Sequence, residues 1–417
     1  MRNGRKSKTS HTPPSQDIGR SNQKSLREKS DKPSGGQKGH EGHTLLMRET
    51  PDEVKEYHPD YCNHCGTDIS QVPSTLIERK QEVELPPLSA QYIEHRNFQK
   101  QCSCCGEVVK SQLPAHLHAS IQYGATVAAT IGYLSVYQCL PYQRLTALLK
   151  RLFHLPISEG SVQNILARLH ANALPAYECI QQKITESKVV GSDETGVSIG
   201  GKKAWFFTWQ NESLTLLSAS FSRGYDTISE RFPKGLPQAV LVSDCWAAQL
   251  KTPAAQHQLC IAHLLRELAN FESALNCEWS IQMKQVLTES LLLKKKLTPA
   301  DYDKPQIAVL QLNNRMAALL ATDYSHKHKK VQAFHKRLQK HQHSIFTFLH
   351  HPKVPPDNNA SERAIRNLKV KNKISGCFRS EKGAHQFAVL RSVVDTAIKN
   401  TCSVFDAFFN IASFSAE

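Results

Sequence analysis

The sequence predicts a mixed α/β core joined to helical regions and a small N-terminal β domain, on three observations. From residue 189 onward, strand-length runs rich in aromatic and β-branched residues alternate with turn residues, and Ala204-Trp205-Phe206-Phe207-Thr208-Trp209 is the strongest of them. On either side of that stretch, leucines recur at helical spacing, as in Leu145, Leu148, Leu149 and Leu152, and again in Leu264, Leu265 and Leu268. Two Cys-x-x-Cys pairs, each followed at once by glycine, stand ahead of the first helical region.

Residues 1–45 are rich in Ser, Lys, Arg, Pro and Gly with almost no large apolar side chains, so they read as a basic, disordered arm. Loose phosphate contact and a plain solvated tail are equally good uses for it. Residues 46–115 read as a zinc-binding, ribbon-like domain. Cys62, Cys65, Cys102 and Cys105 supply four thiolates, and a two-residue spacer lets both sulfurs of one turn face a single ion. Such a Zn²⁺ is structural, because four protein ligands leave no open position. Cys104 is a spare, His64 and His95 are weaker candidates, and reduced, unbound thiols are the competing reading. Residues 76–85 and 90–96 are expected to form strands of this domain.

Residues 116–187 read as helices. The apolar stretch 123–137 is too short to span a bilayer and is expected to be a buried helix. The leucine-rich helix then breaks at His154-Leu155-Pro156-Ile157, and Ser158 opens a second helix with Val162, Ile165, Leu166 and Leu169 on one face. As a helix-turn-helix, this pair presents Ser161, Gln163, Asn164 and Arg168 to base edges in a major groove. A plain helical hairpin packed on the core is the alternative.

Residues 188–263 form the first part of the core. An apolar run ends at Asp193, residues 204–209 and 213–219 pair as a hairpin around Asn211-Glu212, and residues 225–232 supply a crossover helix. Val240-Leu241-Val242-Ser243 is then a strand parallel to the first. Strand, hairpin, helix, strand is the opening of an RNase H-like core, with the aromatic cluster inside it. Residues 264–350 are a helical insertion. It closes on a cationic stretch containing His326, Lys327, Lys329, Lys330, His335, Lys336, Arg337 and Lys340, which reads equally as a DNA-backbone track or a solvated helix face. Residues 351–417 hold a helix carrying Glu362 and a final amphipathic helix with Phe387, Leu390, Val394 and Ile398 against the sheet.

Asp193, Asp244 and Glu362 carry the chemistry. Each alone has an ordinary use: Asp193 opens a turn-like Asp-Glu-Thr-Gly, Ser243 or Asp244 suits a helix cap, and Asn359 with Glu362 fits a capping box. Brought together, three carboxylates repel unless divalent cations neutralise them, and hard oxygen ligands suit Mg²⁺. That combination suggests two-metal phosphoryl transfer on nucleic acid. Glu194 is the rival to Asp193, but neighbours on a strand point to opposite faces, so one of them reaches the metals.

Gly191-Ser192-Asp193-Glu194-Thr195-Gly196, followed by Gly201-Lys202-Lys203-Ala204-Trp205, resembles the first catalytic block of the insertion-sequence 66 family transposases. Leu241-Val242-Ser243-Asp244 with Cys260-Ile261-Ala262-His263 is similar to the second-aspartate region and the Cys-x-x-His signature. Pro355-Pro356-Asp357-Asn358-Asn359-Ala360-Ser361-Glu362-Arg363-Ala364 resembles the third block. The Cys-rich segment and the Gly35–His43 block are similar too, so the likeness runs through nearly the whole chain. Cys245-Trp246 departs from it, since the family commonly has Gly-Tyr after this aspartate.

The resemblance implies a DDE-type enzyme with Asp193, Asp244 and Glu362 as its metal-binding triad. It further implies two Mg²⁺ ions, with Mn²⁺ as a substitute, and DNA partners in the form of element ends and a target duplex. A homo-oligomer on DNA is expected, and the need for accessory proteins is left open. Arg363, Arg366, Lys369, Lys371, Lys373 and Arg379 follow Glu362 closely and suit phosphate positioning. Cys260 and His263 are expected to end a strand and order the site. The net charge of +15 and pI near 9.2 favour a polyanionic partner. With no run of about 18 apolar residues and no signal core, no membrane association and a cytoplasmic location are expected. A metal nuclease without strand transfer and a non-catalytic zinc-containing DNA-binding protein stay open as other readings.

Overall fold

A computed structural model describes residues 39, 41, 45–324 and 328–414. The arm at residues 1–45 and the Gly35–His43 block, apart from 39, 41 and 45, lie outside the described residues, as do His326 and Lys327. The chain divides into two compact units, Ser25–Leu88 and the remainder.

In the smaller unit the first Cys pair sits in a tight turn. Cys62 N–H donates to the Thr67 carbonyl at 2.9 Å and Gly66 N–H to the Cys62 carbonyl at 2.8 Å. Gly66 has φ +74, which only glycine adopts without strain. Hydrogen bonding to Thr67 is the main cause that brings the Cys65 thiol down to about 7, so it is readily a thiolate. In the larger unit the second pair repeats the turn between β1 (Gln99–Gln101) and β2 (Val108–Lys110). Cys102 N–H bonds the Glu107 carbonyl at 2.7 Å, Gly106 N–H the Cys102 carbonyl at 2.9 Å, and Gly106 has φ +75.

The strands expected at residues 76–85 and 90–96 are not formed. Ile77 is 96% and Leu85 86% exposed, so their side chains meet no apolar face, and an extended segment without a paired neighbour leaves its backbone to water.

The larger unit continues with α1 (Ala125–Gly132), which runs on as a π-helical turn, Tyr133–Tyr137. Gly132 allows α1 to seat against Phe408, because a Cβ there would lie 2.5 Å from its ring. Next come α2 (Tyr142–Leu152) and α3 (Glu159–Thr185), the latter capped by Ser158 Oγ, which accepts from Ser161 N–H at 3.0 Å. Val162, Ile165, Leu166 and Leu169 are buried, as their spacing predicts. The same helix then extends to the sheet, where Tyr177 OH donates to the Leu217 carbonyl at 2.8 Å.

The sheet contains β3 (Val189–Ile199), β4 (Lys202–Gln210) and β5 (Thr215–Ser220), then β6 (Leu236–Ser243) after α4 (Tyr225–Arg231), and β7 (Ala254–Leu259) after α5 (Ala247–Lys251). Its order is β5-β4-β3-β6-β7. The β5–β4 and β4–β3 pairs are antiparallel, while β3–β6 and β6–β7 are parallel and each needs a helical crossover. Gly200 and Gly201 turn β3 into β4 with φ +56 and +78. The strand β7 has a polar sequence and its existence is not read from hydrophobic alternation. Asp193 was expected at a strand end but lies inside β3, which runs six residues further because β4 pairs with it throughout.

Alternation along β6 shows how the sheet is covered. Ala239 and Leu241 join one core with α3, while Val240 and Val242 join a second core with Leu264, Leu268, Trp279 and Phe334. That second core is roofed by α6 (Ile261–Leu275), α7 (Glu278–Lys296), α8 (Ile307–Ala321) and α9 (Lys329–Lys340). The chain then returns as α10 (Asn359–Ser375) and α11 (Glu381–Lys399). Ser392 Oγ accepts from Leu217 N–H at 2.8 Å and pins α11 to β5. Ile398, expected against the sheet, is 40% exposed, because the sheet side of this last turn is taken by Thr396, which accepts from Thr215 N–H at 3.1 Å, and Lys399, which donates to Gln210 Oε1 at 2.8 Å. A further helix, α12 (Val404–Ser413), follows the one expected to be final, with Phe408 as its buried anchor.

Candidate active site

Asp193 lies on β3 just past the last parallel pair, Gly191 with Val242, so it faces the point where β6 ends. Asp244 is the first residue beyond β6, and Glu362 sits in the first turn of α10, which packs on β3. The three acids come from elements remote in sequence and share one electrostatic neighbourhood. Burial, followed by the charges of Glu194, Asp244 and Glu362, pushes the Asp193 carboxyl well above the usual range. Burial also raises Asp244, opposed by the Trp246 N–H, Arg223 and Arg337.

Neither expected cap is built as the sequence suggests. Asp244 Oδ1 accepts from Trp246 N–H at 2.9 Å and so orders the entry to α5. Asn358, not Asn359, is the N-cap of α10 and makes no capping side-chain bond. Glu362 instead turns to α6, with Oε1 3.7 Å from both His263 Nε2 and Arg266 Nη2 and no hydrogen-bond partner of its own. Burial, and next Arg266, keep His263 below its usual range.

Glu194 shares this neighbourhood, where burial and then Asp244 raise its carboxyl, but its oxygens are taken by other side chains. Arg223 donates to its Oε1 through Nε at 3.1 Å and Nη2 at 2.6 Å, and Gln249 Nε2 donates to Oε2 at 3.3 Å. The Arg223 guanidinium lies 3.6 Å from the Trp246 ring centroid. Trp246, a departure from the family pattern, thus clamps the arginine that neutralises Glu194. Arg223→Leu is expected to leave Glu194 buried with Gln249 but without a counter-charge, and to lower unfolding stability by about 1.5–3 kcal/mol, read from urea denaturation. Arg223, Gln249 and Arg266 were missed from the sequence. The only local signal is Ser222-Arg223-Gly224, a turn at a strand end.

Lys369 lies two turns after Glu362, where burial lowers its ammonium and the charges of Asp193 and Glu362 hold it up. Arg363, Arg366, Lys373 and Arg379 are exposed. Lys371 is not presented with them: its Nζ donates to the Ser135 carbonyl at 3.4 Å and lies 6.0 Å from the Phe387 ring. Gln163, Asn164 and Arg168 are exposed along α3, apart from this cluster in sequence, and Ser161 is half-buried beside Ser158. In α9, Lys329, Lys336 and Lys340 are exposed, whereas His335 is buried and Arg337 pairs with Glu267 at 2.7 Å.

The acids offer only oxygen donors, one of them the unpartnered Glu362 Oε1, and this set suits a hard divalent cation. Among the described residues, no three His, Cys, Asp or Glu side chains are gathered closely enough to hold a metal ion as they stand. No helix is long and apolar enough to cross a membrane among the residues described.

No curated protein matches the chain. The sequence profile of the family described as Transposase IS66 matches residues 120–386, a span that takes in the sheet, the insertion, all three acids and the cations of α10. The chain belongs to the IS66 transposase family.

Proposed function

We propose that this chain is a DNA transposase that cleaves at the ends of a mobile element and joins them to a target duplex, with Asp193, Asp244 and Glu362 as its catalytic acids. The observation that carries the reading is that Asp244, just beyond β6, and Glu362, in the first turn of α10, both add like charge to the buried Asp193 carboxyl on β3. A sheet of order β5-β4-β3-β6-β7 with an acid on the first core strand suits an RNase H-like assignment.

The acids would hold two Mg²⁺, or Mn²⁺, which supply Lewis-acid activation of the attacking oxygen and neutralise the leaving one. Lys369, which feels the charges of both Asp193 and Glu362, is suited to balance charge on the scissile phosphate, and Arg363, Arg366, Lys373 and Arg379 would extend a cationic track for the strand. Gln163, Asn164 and Arg168 on α3 are the candidates for reading base edges. Joining two ends calls for at least two catalytic centres, hence a homo-oligomer on DNA, acting in the cytoplasm. Lys371 stays a weaker DNA contact, since its ammonium is turned inward.

The test is incubation of the purified chain with a duplex carrying the gene's own flanking inverted repeats, with and without Mg²⁺. Metal-dependent cleavage at the repeat ends and transfer of pre-cleaved ends are expected. Cleavage without transfer would instead identify a nuclease, and binding without either a non-catalytic protein.

The two Cys-x-x-Cys turns are proposed as zinc ligands, Cys62 with Cys65 and Cys102 with Cys105. Each turn has the backbone hydrogen bonds and following glycine that hold two sulfurs on one side, and hydrogen bonds lower both the Cys65 and the Cys102 thiol. Mass spectrometry under native conditions is expected to find zinc in the purified chain and its loss in Cys62→Ser and in Cys102→Ser. Wild-type zinc content in either variant would remove that turn from the ligand set.

A further inference from the structure

The Cys-x-x-His signature and the Pro-Pro-Asp-Asn-Asn block meet in the structure through one buried asparagine. Asn358 is 1% exposed, yet its side chain does not serve the helix it caps. Its Nδ2 donates to the Ser192 carbonyl at 2.7 Å, immediately before Asp193. Its own carbonyl accepts from Glu362 N–H at 3.1 Å, and its N–H donates to Cys260 Sγ at 3.2 Å. Cys260 in turn donates its N–H to the Ser243 carbonyl at 2.8 Å, immediately before Asp244. Ile261 N–H reaches the Pro356 carbonyl at 2.9 Å and closes the same seam.

We propose that Asn358 and Cys260 are positioning residues that set the mutual spacing of Asp193, Asp244 and Glu362. One chain of hydrogen bonds, Ser192–Asn358–Cys260–Ser243, links the backbones that present the two aspartates, and Asn358 also anchors the turn that presents the glutamate. The approach is made possible by Gly191, where a Cβ would lie 2.6 Å from Ser361 Oγ and 2.5 Å from Gln210 Nε2. Local propensity does not explain the arrangement. An asparagine at a helix N-cap ordinarily bonds its own first turn, and this one forgoes that bond for a carbonyl on a neighbouring strand. Groups that orient metal-ligating carboxylates govern metal affinity without touching the ion. The proposal rests on the assignment of the three acids as metal ligands.

The experiment is a titration of the full-length chain with Mn²⁺, followed by electron paramagnetic resonance, beside thermal unfolding and the Mn²⁺ dependence of cleavage. Asn358→Ala and Cys260→Ala are expected to weaken Mn²⁺ binding by about 10–100-fold. Cleavage should then recover as Mn²⁺ is raised, and Cys260→Ser, which keeps an acceptor, should bind Mn²⁺ close to wild type. A residue that merely supports the fold would lower the unfolding temperature and leave the Mn²⁺ midpoint where it was. Wild-type Mn²⁺ affinity in folded Asn358→Ala, or in Cys260→Ala should the first not fold, overturns the proposal. If Asp193→Asn also binds Mn²⁺ and cleaves like wild type, the failure lies in the assignment of the acids.

Discussion

Asp193→Asn is expected to lower strand cleavage by on the order of 10³-fold or more while leaving DNA affinity nearly unchanged. Loss of one metal-binding carboxylate removes several kcal/mol of transition-state charge stabilisation, and each ~1.4 kcal/mol is tenfold in rate. The cations on the outer face of α10 are untouched, so a mobility-shift titration should report the same binding. The amide should also make the protein more stable. Asp193 is raised by burial and by three like charges, so its ionised form opposes folding. A raised carboxyl contributes its stability below the ordinary carboxylate range and loses it as pH rises through the folded value. The advantage of Asn over Asp in unfolding temperature therefore grows from about pH 4 upward. Glu194→Gln is the control, because that carboxylate is held by Arg223 and Gln249, and it should retain cleavage within about tenfold. An equal loss of rate in both variants would transfer the catalytic role away from Asp193.

Asp395→Ala is expected to cost about 3–5 kcal/mol of stability, read as a fall in the urea midpoint. Arg391 is 1% exposed on α11, with Nη2 2.7 Å from Asp395 Oδ1 and Nη1 at 3.4 and 3.5 Å from the carbonyls of Val136 and Tyr137. Its guanidinium also lies 5.3 Å from the Tyr137 ring. Removing the acid strands a cation in a core where two carbonyl oxygens and the Tyr137 ring remain but no counter-charge does. Replacing both partners by apolar residues, as in Arg391→Met with Asp395→Leu, should recover much of the loss, since the penalty comes from the unpaired charge. A loss below about 1 kcal/mol in the single variant would mean that water reaches the arginine.

Much of the fold was legible from spacing alone. The hairpin of β4 and β5, the crossover α4 and the buried face of α3 are read from sequence because period 2 and period 3.6 are properties of short windows. The three acids could be singled out for a similar reason: each lies in a contiguous block with its own flanking residues. The polar strand β7 escaped, because Ala254-Ala255-Gln256-His257-Gln258-Leu259 gains its burial from the strand and helices beside it. Residues 76–85 failed the opposite way, since a strand-like composition meets no partner there.

The sequence by itself determined which acids are candidates, their order, the basic character of α10 and the apolar faces that drive the helices onto the sheet. Tertiary structure alone decided which of the two neighbouring acids is held by other side chains, because Arg223 and Gln249 reach Glu194 from positions 29 and 55 residues away. It likewise decided that Asn358 bonds a strand instead of its own helix, and that Lys371 turns inward while Lys369 stays beside the acids. The physical reason is one of range. Periodicity and capping are set by residues within a turn or two, whereas burial, charge pairing and the direction of a side chain depend on whatever the folded chain brings against it.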